Sequence, residues 1–243
     1  MGLIIRLSAF VALATVLVYV GNTLAYRMDM REFGAAFSFS FQMLMPMLFI
    51  AGIAAVLGLI GLFARQAGSG LFAILSALIL LGCAAGPLGI RHNASRVPPI
   101  HDITTDTQTP PQFVAVVPLR AETGATNPPE YDREQTARQL EAYPDIDTVT
   151  VDADYGTVFD LSLQVLQEMG LVIVEADEAA GRIEATHTSR WWGFKDDVVI
   201  RFNREDTPLT IDMRSKSRIG GSDVGANANR IETFFSKLEA RLA

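Results

Sequence analysis

The sequence predicts an α-helical membrane anchor of three transmembrane helices, followed by an α+β two-layer soluble domain: an antiparallel sheet with helices on one face. Three observations carry that prediction. Residues 1–90 hold three long apolar runs with no charge inside them. An acidic, polar segment follows. From about residue 147 the apolar periodicity reads strand, helix, four strands, helix, the order of a two-layer α+β domain.

The runs are Leu7–Tyr26, Phe37–Ala64 and Leu71–Ile90, each long enough to cross a bilayer, for which about 20 apolar residues suffice. The first is longer than a typical signal core and is read as an uncleaved helix, with Thr23-Leu24-Ala25 as the alternative small-residue exit of a cleaved one. Gln42 and Pro46 bend or polarise the second. Ala54-xxx-Gly58 and Gly82-xxx-Gly86 are spacings that let helices approach closely, although such patterns are common in any apolar sequence. No Asp, Glu, Lys, Arg or His lies inside a span, which disfavours a pump or ion-coupled transporter. The expected partner of this part is the lipid bilayer, in a multi-pass topology at the cell (inner) membrane.

Charge divides the chain. Residues 1–97 carry six arginines against Asp29 and Glu32, a net of +4, while residues 98–243 carry 14 basic and 25 acidic side chains, a net of −11. An acidic domain argues against nucleic-acid binding, which needs a basic field, and against bulk docking on an anionic membrane. Arg6 and Arg65 flank one side, and Arg27, Arg31, Arg91 and Arg96 the other, a weak lean toward a cytoplasmic domain. The single Cys83 allows no intrachain disulfide or cysteine metal site. Three scattered histidines form no metal pattern, so no metal or cofactor is expected.

The organisation read from these features is 1–90 anchor, 91–146 proline-rich extended arm, and 147–243 α+β domain. The arm contains Pro98-Pro99, Pro110-Pro111, Pro118 and Pro128-Pro129, which oppose helix. A short strand is expected at Asp147–Val151, then a helix over about Asp154–Met169, capped by Asp154 or by Thr157 with Asp160, with Val158, Phe159, Leu163, Leu166 and Met169 on one face. Gly170 ends it. Strands follow at Leu171–Ala176, Arg182–Arg190, Asp197–Asn203 and Leu209–Arg218, and a last helix from near Asp223 to about Leu242 presents Ile231, Phe234, Phe235, Leu238 and Leu242.

The segments "GRIEATHTSRWWGFKDDVVIRF" and "IDMRSKSRIGGSDVGANANRIETFF", with "PPIHDITTDTQTPPQF" before them, resemble the family of domain of unknown function 1499 (DUF1499) over roughly residues 97–243. The resemblance implies no particular activity. It implies occurrence in bacterial membrane-associated proteins and in plastids, and therefore a cell-envelope, periplasmic placement, against the arginine count.

Strand alternation points to the candidate site. Ile183, Ala185 and His187 share a phase with Val198, Ile200, Phe202 and with Leu209, Ile211, Met213, and face the helices. The opposite phase holds Arg182, Glu184, Arg190, Arg201, Asp212, Arg214, Lys216 and Arg218. That basic face is either a solvated surface with cross-strand pairs or an anion site. Trp191-Trp192 between two strands either closes the core or is exposed for sugar stacking or membrane contact. The sequence is read as a ligand-binding site of Arg190, Trp191, Trp192, Arg214, Lys216 and Arg218, without catalysis, for an anionic ligand or an envelope component. The glycine-rich stretch Ser217–Asn227 reads as a turn with Asp223 as cap rather than a phosphate cradle. Two rivals stand beside it: a hydrolase-like enzyme using His101 or His187 with Asp102, Asp196 or Asp197, and an assembly module binding a protein through the sheet edge or the Trp pair.

Overall fold

A computed structural model describes residues 1–205 and 207–242. The chain forms two compact units, Met1–His92 and Asn93–Ala243.

The first unit is helical: α1 (Gly2–Arg27), α2 (Phe33–Gln42), α3 (Leu44–Phe63) and α4 (Ala67–Ala94). Three helical stretches, with α2 and α3 counted as one, are long and apolar enough to cross a membrane. Their surface is inverted relative to a water-soluble protein. Among the described residues, the large apolar side chains that lie exposed outside this unit are Val114, Leu140, Val172 and Trp191; all the others, such as Leu17 and Phe49, belong to it. Such a surface is stable only against lipid or another apolar phase.

The second apolar run is not one uninterrupted helix. It starts at Phe33 and breaks at Met43, because Pro46 has no N–H for the Gln42 carbonyl and its ring crowds that carbonyl. Close packing also differs in part from the expected spacings. Ala54 and Gly58 are buried, and a Cβ on Gly58 would sit 2.9 Å from the Gly70 oxygen, while one on Gly70 would sit 2.7 Å from the Gly58 oxygen. Gly82 and Gly86 instead face outward; the buried residues of α4 are Ser69, Gly70, Ala73, Ser76, Ala77, Leu80, Ala84 and Pro87.

The second unit contains β1 (Asp102–Thr104), α5 (Val116–Glu122), a single 3-10 turn (Arg133–Gln135), α6 (Thr136–Ala142), β2 (Val149–Val151), α7 (Tyr155–Glu168), β3 (Val172–Asp177), β4 (Arg182–Thr188), β5 (Lys195–Asn203), β6 (Leu209–Ser217) and α8 (Ala226–Leu242). The sheet is antiparallel in the order β1-β6-β5-β4-β3, and β2 shares the outer edge of β6 with β1. Asp154 caps α7, its carboxylate accepting the Thr157 N–H at 3.1 Å, and Gly170 at φ +78° ends it, as a left-handed C-terminal residue does.

One sheet face carries the apolar core. Ile183, Val198, Ile200, Phe202, Ile211 and Met213 pack against Val158, Phe159, Val165 and Leu166 of α7 and Ile231, Phe234, Phe235 and Leu238 of α8. The other face is covered by the arm. Phe113 and Val116 pack on Val199, and the Glu184 carboxylate accepts the N–H groups of Val114, Ala115 and Val116 at 2.8, 3.1 and 2.9 Å. Gln139 completes the outer edge of β1 as a strand would: its amide accepts the Thr104 N–H at 3.2 Å and donates to the Thr104 carbonyl at 2.6 Å.

The arm is not extended throughout: α5 and α6 lie within it, and Pro118 is accommodated in the first turn of α5, where its missing N–H has no intrahelical partner to lose. Two expected boundaries near the site also shift. β4 stops at Thr188, because the Ser189 N–H bonds the Phe194 carbonyl at 2.8 Å and Gly193, at φ +73°, closes the turn; Arg190 therefore stands on a loop and not on the sheet face. The last helix begins at Ala226, after a turn in which Asp223 accepts the N–H groups of Gly225 and Asn227, both at 2.8 Å. Those amides are filled by a carboxylate of the chain itself.

Candidate functional site

The basic phase of the sheet is not an open surface. Arg214 and Lys216 are 0 % exposed and Arg218 is buried, because the arm lies over them. Arg214 grips Asp102 through two parallel bonds, Nε to Oδ1 and Nη2 to Oδ2, each 2.8 Å, with its guanidinium 4.8 Å from the Phe113 ring centre and 5.4 Å from that of Tyr131. Lys216 Nζ lies 2.9 Å from the same carboxylate and donates to the Glu130 carbonyl at 2.6 Å. Arg218 takes Asp197 in the same two-point manner, at 2.9 and 2.7 Å, and Arg120 from α5 reaches Asp197 at 2.6 Å.

Four buried cations thus share two buried carboxylates. Arm carbonyls of Pro111, Pro129, Glu130, Asn127 and Leu119 accept further N–H groups from them, as do the Ser217 carbonyl and the Thr123 and Thr186 hydroxyls, while Arg120 Nε has no partner among the described residues. Burial lowers the Lys216 pKa, opposed by Asp102, and lowers that of Arg120, opposed by Asp197. A buried charge is tolerated when paired and hydrogen-bonded; here the arm's Asp102 pairs with Arg214 and Lys216, the sheet's Asp197 pairs with Arg218 and the arm's Arg120, and the network clasps arm to sheet.

A second polar cluster sits on the helix side at the same end of the sheet. Arg230 of α8 donates to Asp196 at 2.7 Å and to Ser215 at 2.8 Å, and its Nη2 lies 3.3 Å from His187 Nδ1. Asn227 donates to Ser217 Oγ at 3.1 Å and to the His101 carbonyl at 3.0 Å. Asp196 and Asp197, adjacent on β5, thereby serve opposite faces. Since guanidinium only donates, His187 Nδ1 is the accepting nitrogen and is blocked from taking a proton. Burial and the Arg230 charge both lower the His187 pKa. His187 and Asp196 do meet, but with an arginine bonded to both.

The loop between β4 and β5 is the exposed part of the predicted set. Trp192 is buried and stacks on Phe194, ring centres 5.6 Å apart. Ser189 Oγ accepts the Phe194 N–H at 2.9 Å. Arg190 is exposed and Trp191 is 46 % exposed. The Arg218 N–H bonds the Lys195 carbonyl at 2.9 Å, so the buried clasp braces the base of this loop.

The arrangement therefore divides the six predicted residues: Arg190 and Trp191 at the surface, Trp192 as the loop's inner anchor, and Arg214, Lys216 and Arg218 inside. Sequence reasoning missed Arg120, Gln139, Asn227 and Arg230. For the last two a signal existed: Asn227 and Arg230 continue the inward stripe of Ile231, Phe234 and Leu238, opposite Asp196, Ser215 and Ser217 in the helix-facing strand phase. Among the described residues no group of three or more His, Cys, Asp or Glu side chains is placed to hold a metal. The free sheet edge, β3, is bulged between Ile173 and Glu175 and carries Glu175 and Asp177, features that discourage strand addition.

Fold and site together define a membrane-anchored protein with an α+β domain whose polar sheet face is closed by its own N-terminal arm. The family described as protein of unknown function (DUF1499) matches residues 102–238, and the chain belongs to that family. No curated protein matches it.

Proposed function

We propose that this is a non-catalytic binding protein of the bacterial cell envelope, held in the membrane by its three helices, whose C-terminal domain takes an acidic saccharide on the β4–β5 loop. The observation that carries this reading is the exposed Arg190–Trp191 pair on a loop pinned by the Trp192–Phe194 stack and the Ser189 bonds. An indole face stacks on a sugar ring, and the neighbouring guanidinium pairs with its carboxylate. Pre-ordering of the loop lowers the cost of ordering it on binding.

Trp192 acts as the support of the contact. Arg214, Lys216 and Arg218 contribute through the excess of positive charge beneath the loop and through the clasp, without touching the ligand. The net charge of −11 on residues 98–243 disfavours an extended anionic membrane surface and tolerates one acidic sugar at a locally basic spot. The family resemblance implies the periplasmic side, against the weak lean of the arginine count.

The test is titration of the full-length protein, in nanodiscs of uncharged lipid, with oligogalacturonate, following tryptophan fluorescence. Expected are saturation with the acidic oligosaccharide, none with a neutral one of equal length, and about tenfold weakening, about 1.4 kcal/mol, in Trp191→Ala or Arg190→Gln. Equal responses to acidic and neutral sugars, or variants that bind as wild type, would overturn the assignment.

A further inference from the structure

The turn between α1 and α2, residues Met28–Glu32, carries an arginine fixed in a way that the anchor itself does not require. Asn22, only 5 % exposed, uses its whole amide: Nδ2 donates to the Ala36 carbonyl at 2.9 Å and to Ser40 Oγ at 3.2 Å, and Oδ1 accepts from Arg31 Nη1. The Arg31 guanidinium also lies 5.4 Å from the Phe39 ring centre. A polar side chain inside an apolar span acts as glue between helices; here one of its three bonds is spent on aiming an exposed arginine.

That bond takes Nη1, and among the described residues no hydrogen bond engages the Nε–Nη2 edge of Arg31. This is the edge that meets an oxyanion with two parallel bonds. Asp29 and Glu32 flank it in sequence, both exposed, and among the described residues neither is ion-paired with Arg31. Glu32 precedes α2 without capping it by a side-chain bond. The Met30 N–H closes the turn by bonding the Ala25 carbonyl at 2.8 Å, with Asp29 at φ +57°. Exposed Met28 and Met30 add apolar contact beside it. With Arg27, the four charges cancel, so no net field selects an anionic lipid.

Fixed oxyanion fork, uncommitted carboxylates and position at the end of two spanning helices coincide at one turn. We propose that this turn binds the headgroup of a zwitterionic phospholipid bearing a primary ammonium, the phosphate on Arg31 and the ammonium between Asp29 and Glu32. A quaternary ammonium offers no N–H to those carboxylates and binds less well, and a headgroup without a cation leaves them facing like charge.

The experiment is native mass spectrometry of the full-length protein in neutral detergent with equimolar phosphatidylethanolamine, phosphatidylcholine and phosphatidylglycerol. Phosphatidylethanolamine adducts are expected to exceed each of the others by about fivefold, the range of one exposed ion pair. Arg31→Gln should remove the adducts. Asp29→Asn with Glu32→Gln, at exposed positions that bear no packing, should keep phospholipid bound and erase the preference over phosphatidylcholine. Equal retention of the three lipids by wild type, a preference for phosphatidylglycerol, unchanged adducts in Arg31→Gln, or a preference surviving the double variant would each overturn the proposal.

Discussion

Arg214 and Asp102, 112 residues apart, face each other with two parallel 2.8 Å bonds and no exposure to solvent. The arm strand β1 and the sheet strand β6 are joined by this pair as well as by their ladder, in which Asp102 stands opposite Lys216 and Thr104 opposite Arg214.

Asp102→Asn should therefore destabilise the C-terminal unit by about 3–5 kcal/mol, because it leaves Arg214 and Lys216 buried beside a neutral amide. Arg214→Ala should act in the same direction, whereas joint replacement of Asp102, Arg214 and Lys216 by apolar residues of similar volume should cost much less. Chemical unfolding of the full-length protein measures all three; a stability order in which the triple variant is worst would refute the account of the clasp as a paired buried network.

In the anchor, Gly70→Ala places a Cβ 2.7 Å from the Gly58 carbonyl oxygen, a backbone atom that cannot swing aside, whereas Gly82→Ala meets nothing within 4 Å. The first should lower the thermal midpoint in detergent by separating α3 from α4. The second should leave it unchanged or raise it slightly, since alanine is the better helix former. Equal midpoints for the two variants would contradict the close approach at Gly58 and Gly70.

Burial lowers the pKa of His101, reinforced by Lys216, and that of His187, reinforced by Arg230. Each folded pKa lies below the unfolded value of about 6.5. Below that value the unfolded chain takes up protons that the folded one refuses, so stability is full above about pH 6.5 and falls as pH drops through and below it. The unfolding midpoint of the C-terminal unit should fall between pH 6.5 and 5, and His101→Asn with His187→Asn should flatten that slope. Asp106, whose burial is outweighed by bonds from Thr109 and Arg201, titrates at about 2; the stability it adds is present above about pH 4 and is lost as pH falls toward 2.

Gln139→Ala should free the outer edge of β1, because both bonds to Thr104 go through that one amide. A loss of about 1–3 kcal/mol is expected for the two buried groups left unsatisfied. Hydrogen exchange at the Thr104 amide should rise in this variant before exchange in β5 and β6 does, and simultaneous exchange in all three strands would mean that Gln139 does not act locally.

The rival enzymatic reading placed His187 with Asp196, and the two residues are indeed neighbours in the β4–β5 ladder. Arg230 joins them as a donor to both, an arrangement that holds a neutral imidazole in one tautomer and opposes its action as a base.

The sequence by itself determined the three apolar runs, the two amphipathic helices of the domain and the alternation of its four long strands, because each depends on neighbours within a turn of helix or along one strand. It also placed Arg214, Lys216 and Arg218 on one phase. Tertiary structure alone decided what that phase faces. A period of two reads the same whether charged side chains point into water or into a segment 85 to 112 residues away that brings Asp102, Pro111 and Pro129 against them. The proline pairs announced an extended arm, but its landing place depends on long-range pairing of charges and on backbone carbonyls, which every residue possesses and no composition reveals. The same holds for Arg31, whose orientation rests on Asn22 meeting α2 across a turn. Local periodicity sorts residues onto faces; only the folded chain assigns those faces to partner or solvent.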